Sequence, residues 1–133
     1  MTIAMNYSPE TIQLIEELID NSYHDQDMYD FIEQYGENNF RSYYTDFVDI
    51  GEKYSYEAAD AFIAEFSIDD ISNFEDAYYG EFSWDDFVES YASDNVLYRI
   101  PEDLQCYFDM NAFSADLAYD YIENGGFIFS RNW

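Results

Sequence analysis

Apolar and aromatic side chains return every three or four residues along nearly the whole sequence, and carboxylates fill the positions between them. That spacing puts rings on one side of a helix and charges on the other, so it restricts the chain to amphipathic helices around a shared interior. After Ser8, a capping residue, and Pro9, suited to the first helical position, Ile12, Ile15, Leu18 and Ile19 form one stripe. Met28, Phe31, Ile32 and Tyr35 form a second, ended by Gly36. Phe40, Tyr43, Tyr44 and Phe47 carry a third as far as Gly51, and Ser55 opens a fourth on Ala59, Phe62, Ile63 and Phe66. Ser67 with Asp70, and Ser83 with Asp86, match the S-x-x-[DE] helix start; Trp84, Phe87, Val88 and Tyr91 then follow Ser83 at i, i+3, i+4 and i+7. Asp109 caps a last helix carrying Met110, Phe113, Leu117 and Tyr121.

Two short segments, residues 96–99 and 127–129, read as β-like, the second introduced by Gly125 and Gly126, while Tyr78, Tyr79 and Gly80 read as a turn or short extended piece. The expected fold is α+β, mainly α-helical, with a minor β-ribbon near the C-terminus. The best division lies at residues 93–101, between an acidic helical domain over 1–93 and a small C-terminal unit over 94–133; one continuous domain is the alternative.

Charge decides the partner class. Thirty Asp and Glu against four Lys and Arg give a formal net charge of −26, which excludes attraction to DNA, RNA or an anionic membrane and calls for a basic partner. Acidic chains that stay disordered are poor in rings, whereas this one has 15 Tyr, 12 Phe and 2 Trp, so it folds. Burial of those rings, at roughly 25 cal/mol per Å², offsets the self-repulsion. The acids fall opposite the apolar stripes: Asp27, Asp30 and Glu33 on one helix, Asp85, Asp86 and Glu89 on another, Asp116, Asp120 and Glu123 on the last. Side chains three or four apart on a helix lie ~5 to 6 Å apart, a spacing close to that of successive phosphates on a nucleic-acid strand. Duplex DNA carries one charge per ~1.7 Å, so a charge of −26 matches roughly 44 Å, or about 13 base pairs. A surface imitating duplex DNA in the basic groove of a DNA-binding enzyme is the reading this suggests; the plainer one is a solvated or salt-adapted surface.

Single residues carry less. The lone cysteine, Cys106, excludes an internal disulfide and reads as a small buried hydrophobe in a protein of a reducing compartment. His24, beside Asp25 and Asp27, reads as an exposed helix-start residue. No Cys/His cluster makes a zinc site and no segment satisfies the EF-hand loop, so no metal or cofactor is expected. Adjacent acids such as Asp69 and Asp70 are too numerous to mark an acid/base pair, and the chain does not read as an enzyme. The start MTIAMNYSPE has no basic n-region or apolar h-region, which points to the cytoplasm. Surplus tyrosines, Tyr78 or Tyr79, are candidates for contact with a partner or second subunit.

Two segments resemble the ArdA antirestriction family. IPEDLQCYFDMNAFSADL, residues 100–117, is similar to its C-terminal part, with a Pro, a Leu-Gln, an aromatic and Asp, then an aromatic before an acidic-apolar end. FEDAYYGEFSWDDFVESY, residues 74–91, resembles its Tyr-x-Gly-Glu segment followed by an acidic-aromatic helix. The resemblance spans about residues 67–129. It implies an elongated, acidic, homodimeric mimic of B-form DNA, carried by a phage or mobile element, that inhibits Type I restriction-modification enzymes of the bacterial host without hydrolysing anything. It assigns phosphate positions to Glu75, Asp76, Glu81, Asp85, Asp86, Glu89, Glu102, Asp103, Asp109 and Asp116. The additional N-terminal α/β domain and terminal strands of typical members have no counterpart in the sequence, and residues 1–66 carry no family motif. The same mimicry aimed at a CRISPR effector or nucleoid protein stays open, as does an acidic scaffold.

Overall fold

The computed structural model describes residues 7–133. By internal packing the chain divides into two units, the first ending at Tyr56 and the second running Glu57–Trp133.

The first unit is helical: α1 (Pro9–Asp20), α2 (Asp25–Tyr35) and α3 (Glu37–Lys53). Ser8 caps α1, its hydroxyl accepting from the Thr11 amide, with Pro9 at the first position. Only Gly36, at φ 92°, separates α2 from α3, a conformation an L side chain would adopt under strain. Met28, Phe31 and Ile32 pack inward with Phe40, Tyr44 and Phe47, and the Phe31 ring meets those of Tyr44 and Phe47 edge-on at 5.1 Å. Helix α3 does not stop at Gly51 but continues to Lys53; residue 51 is a glycine inside the helix because the Tyr56 ring occupies the place where a Cβ would point.

On α1 the buried stripe differs from expectation: Thr11, Ile15 and Leu18 are inside, and Ile19 is 45% exposed. A fully buried threonine is tolerated because its hydroxyl is satisfied. It donates to Glu37 Oε1 (2.9 Å) and accepts from Arg41 Nη1 (3.1 Å), while the Ser8 amide also donates to Glu37 Oε1 (2.9 Å). The Glu37 carboxyl therefore sits below its usual 4.5, chiefly through the Ser8 N–H, then the Thr11 hydroxyl, with burial opposing and Arg41 assisting. A carboxyl lowered in this way stabilises the fold above its unfolded value, and that contribution is lost as pH falls through the lowered one. Thr11→Val is expected to cost about 0.5–1.5 kcal/mol in denaturant unfolding, by removing the hydrogen bonds of a fully buried hydroxyl, while Thr11→Ser retains most of the stability. A valine variant as stable as the parent would show that the network contributes nothing.

The second unit holds α4 (Tyr56–Glu65, whose first residue closes the first unit), a 3-10 turn (Ile68–Asn73), α5 (Phe74–Ala77), β1 (Tyr78–Glu81), α6 (Trp84–Asn95), two further 3-10 turns (Leu97–Arg99 and Glu102–Tyr107), α7 (Met110–Leu117), β2 (Tyr121–Asn124) and β3 (Phe127–Ser130). The strands form one antiparallel sheet in the order β1-β3-β2. The turn at Gly125 and Gly126, with φ 62° and 89°, folds β2 onto β3 and is closed by the Gly126 amide donating to Glu123 Oε2 at 2.6 Å. Central β3 is buried on both faces, so it reads as an unbroken apolar run. Phe129 meets Phe62 (5.6 Å), Phe74 (6.0 Å) and Tyr78 (5.8 Å). Ile128, on the opposite face of the pleat, joins Phe87, Val88 and Leu117. The fold is thus mainly helical with a minor sheet.

Three sequence expectations are corrected and one is narrowed. Residues 96–99 are not a strand: Leu97–Arg99 is a 3-10 turn, and Gln105 Nε2 donates to the carbonyls of Leu97 (2.8 Å) and Ile100 (3.1 Å) that a ladder would need. Of the two readings of 78–80, a turn or a short extended piece, the second holds: the stretch lies in a strand, paired with β3 at Tyr78↔Phe129 and Gly80↔Ile128 across a register shift. Helix α7 ends at Leu117, so Tyr121 and Glu123 belong to β2 and Asp120 to the turn before it. Residues 93–101 lie inside the second unit, because β3, beyond them, pairs with β1, before them. Among the described residues no helix is long and apolar enough to cross a membrane.

Candidate partner-binding surface

None of the 30 carboxylates is buried. Only Asp25, Glu37, Asp60, Glu65, Asp70 and Glu123 are even half-covered, and the rest are open to water. The interior explains why. Each helix turns its apolar stripe inward and so leaves its acids no position but the outside.

Helix α6 shows the construction. The Ser83 hydroxyl accepts from the Asp86 amide (3.2 Å) and fixes where the helix begins; Phe87, Val88 and Ala92 are buried, and Asp85, Asp86 and Glu89 stand exposed. Asp85 and Asp86 lie in the first turn, where the helix dipole favours anions. Glu75 and Asp76 are exposed on α5 between buried Phe74 and Ala77, and Glu102 and Asp103 open the 3-10 turn Glu102–Tyr107. Local structure therefore gathers three groups: the α5 pair, the α6 trio and the 3-10 pair. Glu81 at the end of β1, Asp109 and Asp116 stand singly, all exposed. Asp109 is also the cap of α7, its Oδ1 accepting from the Ala112 amide at 3.0 Å. All ten residues assigned phosphate positions lie in the second unit, but acids of the first, such as Glu16, Asp27, Asp30 and Glu33, are equally open.

The arginines turn to neutral acceptors. Arg41 donates to Ser8 Oγ (2.8 Å), Thr11 Oγ1 and Asn38 Oδ1, Arg99 Nε to the Tyr98 hydroxyl (3.0 Å), and Arg131 Nε to the Tyr121 carbonyl (3.4 Å). Lys53 Nζ lies over the Tyr54 ring at 5.4 Å. Among the described residues no three Asp, Glu, His or Cys converge as metal ligands would. The charge is spread across the surface rather than collected at a point.

Three single-residue expectations meet the structure differently. Cys106 is exposed, not buried, because its 3-10 turn packs none of its residues inside. Tyr78 stacks on Phe74 at 4.9 Å and 25°, and Tyr79, 41% exposed, sets its ring edge-on against Phe87 at 4.9 Å. Burial, foremost, pushes the Tyr79 hydroxyl's pKa up, as it does for Tyr121. Tyr79 is exposed to about the same extent as Tyr54 and Tyr56, and the tyrosines furthest out are Tyr98, Tyr107 and Tyr119, which sequence reasoning missed because a ring at the edge of a stripe reads the same facing in or out. His24 is exposed at the start of α2, as its position suggested.

No protein-family model, curated protein or solved structure matches this chain.

Proposed function

We propose that this protein is a DNA mimic that blocks a Type I restriction-modification enzyme by occupying its DNA-binding groove. The observation that carries the reading is that none of the 30 carboxylates is buried, and 24 are exposed, on units with packed aromatic interiors. A flexible polyanion would lose entropy on being ordered by a groove, whereas acids on capped helices and a sheet-backed core are ordered beforehand. The choice of a restriction enzyme rests on the ArdA-like segments, and both lie in the unit that contains β3. The mechanism is occlusion. Lys and Arg of the groove pair with carboxylates instead of phosphates, counterions are released, and nothing is turned over. The protein acts in the host cytoplasm, and as a homodimer it would present about twice the anionic length.

The test is DNA cleavage by a Type I enzyme with this protein titrated in, at about 50 mM and about 200 mM salt. Inhibition that excess DNA relieves, and that weakens at the higher salt, is expected. Absence of inhibition, or inhibition indifferent to DNA concentration, rejects the reading.

A further inference from the structure

The acid coat of the second unit is interrupted by exposed apolar and aromatic side chains on two successive 3-10 turns that Gln105 ties together. Neither Leu97–Arg99 nor Glu102–Tyr107 buries a residue; Tyr98 is 64%, Leu104 48% and Tyr107 81% exposed. Gln105 braces the segment by bonding the carbonyls of Leu97 and Ile100, so the rings are presented from a fixed backbone. Glu102 and Asp103 are exposed in the same turn as Leu104 and Tyr107. The Tyr98 ring already meets one guanidinium of its own chain and, at 64% exposed, retains open surface beyond it. The Arg99 guanidinium lies 5.3 Å from the centroid of the Tyr98 ring while its Nε donates to the Tyr98 hydroxyl at 3.0 Å.

Building on the proposed basic partner, we infer that residues 97–107 are the docking face for arginine side chains of that partner. The rings of Tyr98 and Tyr107 stack against guanidinium planes, Glu102 and Asp103 take their N–H groups, and Leu104 covers the aliphatic stems. Exposed tyrosines amid charge are the residue type that carries binding energy at interfaces, whereas the surrounding acids supply attraction and rate. Charge complementarity selects this occupant over a second copy. Two such faces would set Glu102 and Asp103 of one copy near those of the other, on chains that each carry −26. Arginine is favoured over lysine because its planar, weakly hydrated head both stacks and forks to carboxylates.

Labelled decaarginine and decalysine peptides, titrated by fluorescence polarisation, separate this face from the general charge. The parent is expected to bind decaarginine about tenfold more tightly than decalysine. The variant Tyr98→Ser/Leu104→Ser/Tyr107→Ser, which alters no charge and no buried residue, is expected to bind both alike, with decalysine affinity and circular dichroism unchanged. A parent without preference, or a variant that keeps it, overturns the inference; so does sedimentation showing a dimer that the variant abolishes, since a second copy would then cover the face. Intact arginine preference with no effect on restriction would refute only the restriction target, and intact inhibition with no preference would refute only the docking face.

Discussion

Changing Asp85, Asp86 and Glu89 together to their amides is expected to weaken inhibition of a Type I enzyme by about 10- to 100-fold, while each single amide weakens it about two- to fivefold. An exposed ion pair contributes roughly 0.2–1 kcal/mol, so one acid among many is a small loss and three neighbours together lose about 0.6–3 kcal/mol, with the upper part of that range expected where they meet one stretch of groove. These three are exposed on α6, with Glu89 three residues beyond Asp86 and four beyond Asp85, where they would meet the same stretch of groove. Their amides preserve side-chain shape. Two of them lie in the first turn of the helix, so a loss of about 0.3–1 kcal/mol in stability per charge is expected, to be measured alongside by thermal unfolding. Inhibition by the parent should fall steeply between about 50 and about 200 mM salt, and more gently for the variant, which has fewer charges to pair. A loss as large from Asp85→Asn alone would indicate a discrete site and not a distributed one.

The sequence disclosed structure wherever its cause was local. Ser8, Ser83 and Asp109 each accept from a helix-start amide, an interaction readable from residues three apart. The apolar stripes of α2, α3 and α6 are buried as their spacing requires, and the acids fall outside for the same reason. What escaped depends on distant partners. Thr11 is inside because Glu37 and Arg41 arrive from α3, and the choice between a turn and an extended piece at 78–80 is made by β3, which comes to pair with them. Residues 96–99 have β-branched and aromatic character, yet Gln105 holds them in a turn, so a side-chain contact overrides propensity. The acidic face could thus be read from the chain, and the outward rings of Tyr98 and Tyr107 could not.

Phe129→Ala is expected to abolish the cooperative fold of the second unit near neutral pH and low salt, and inhibition with it. Phe129 is fully buried on the central strand, within ring contact of Phe62, Phe66, Phe74 and Tyr78. Its truncation costs about 3–5 kcal/mol in lost transfer and cavity energy, against a total of roughly 5–15 kcal/mol for an ordinary domain. A chain of −26 begins with less, because unfolding relieves its self-repulsion. Raising salt from about 0.01 M to about 1 M shortens the screening length from about 30 Å to about 3 Å, so near-ultraviolet circular dichroism of the variant should recover in part. Phe129→Leu, which keeps most of the volume, should remain folded throughout. The alanine variant has the same carboxylates and the same net charge as the parent, so it separates two explanations of inhibition. If charge alone blocks the groove, the unfolded variant inhibits as well as the parent at low salt, and the mimicry proposed above is wrong. If the acids must be held in place by the rings beneath them, inhibition disappears with the aromatic signal and survives in the leucine control.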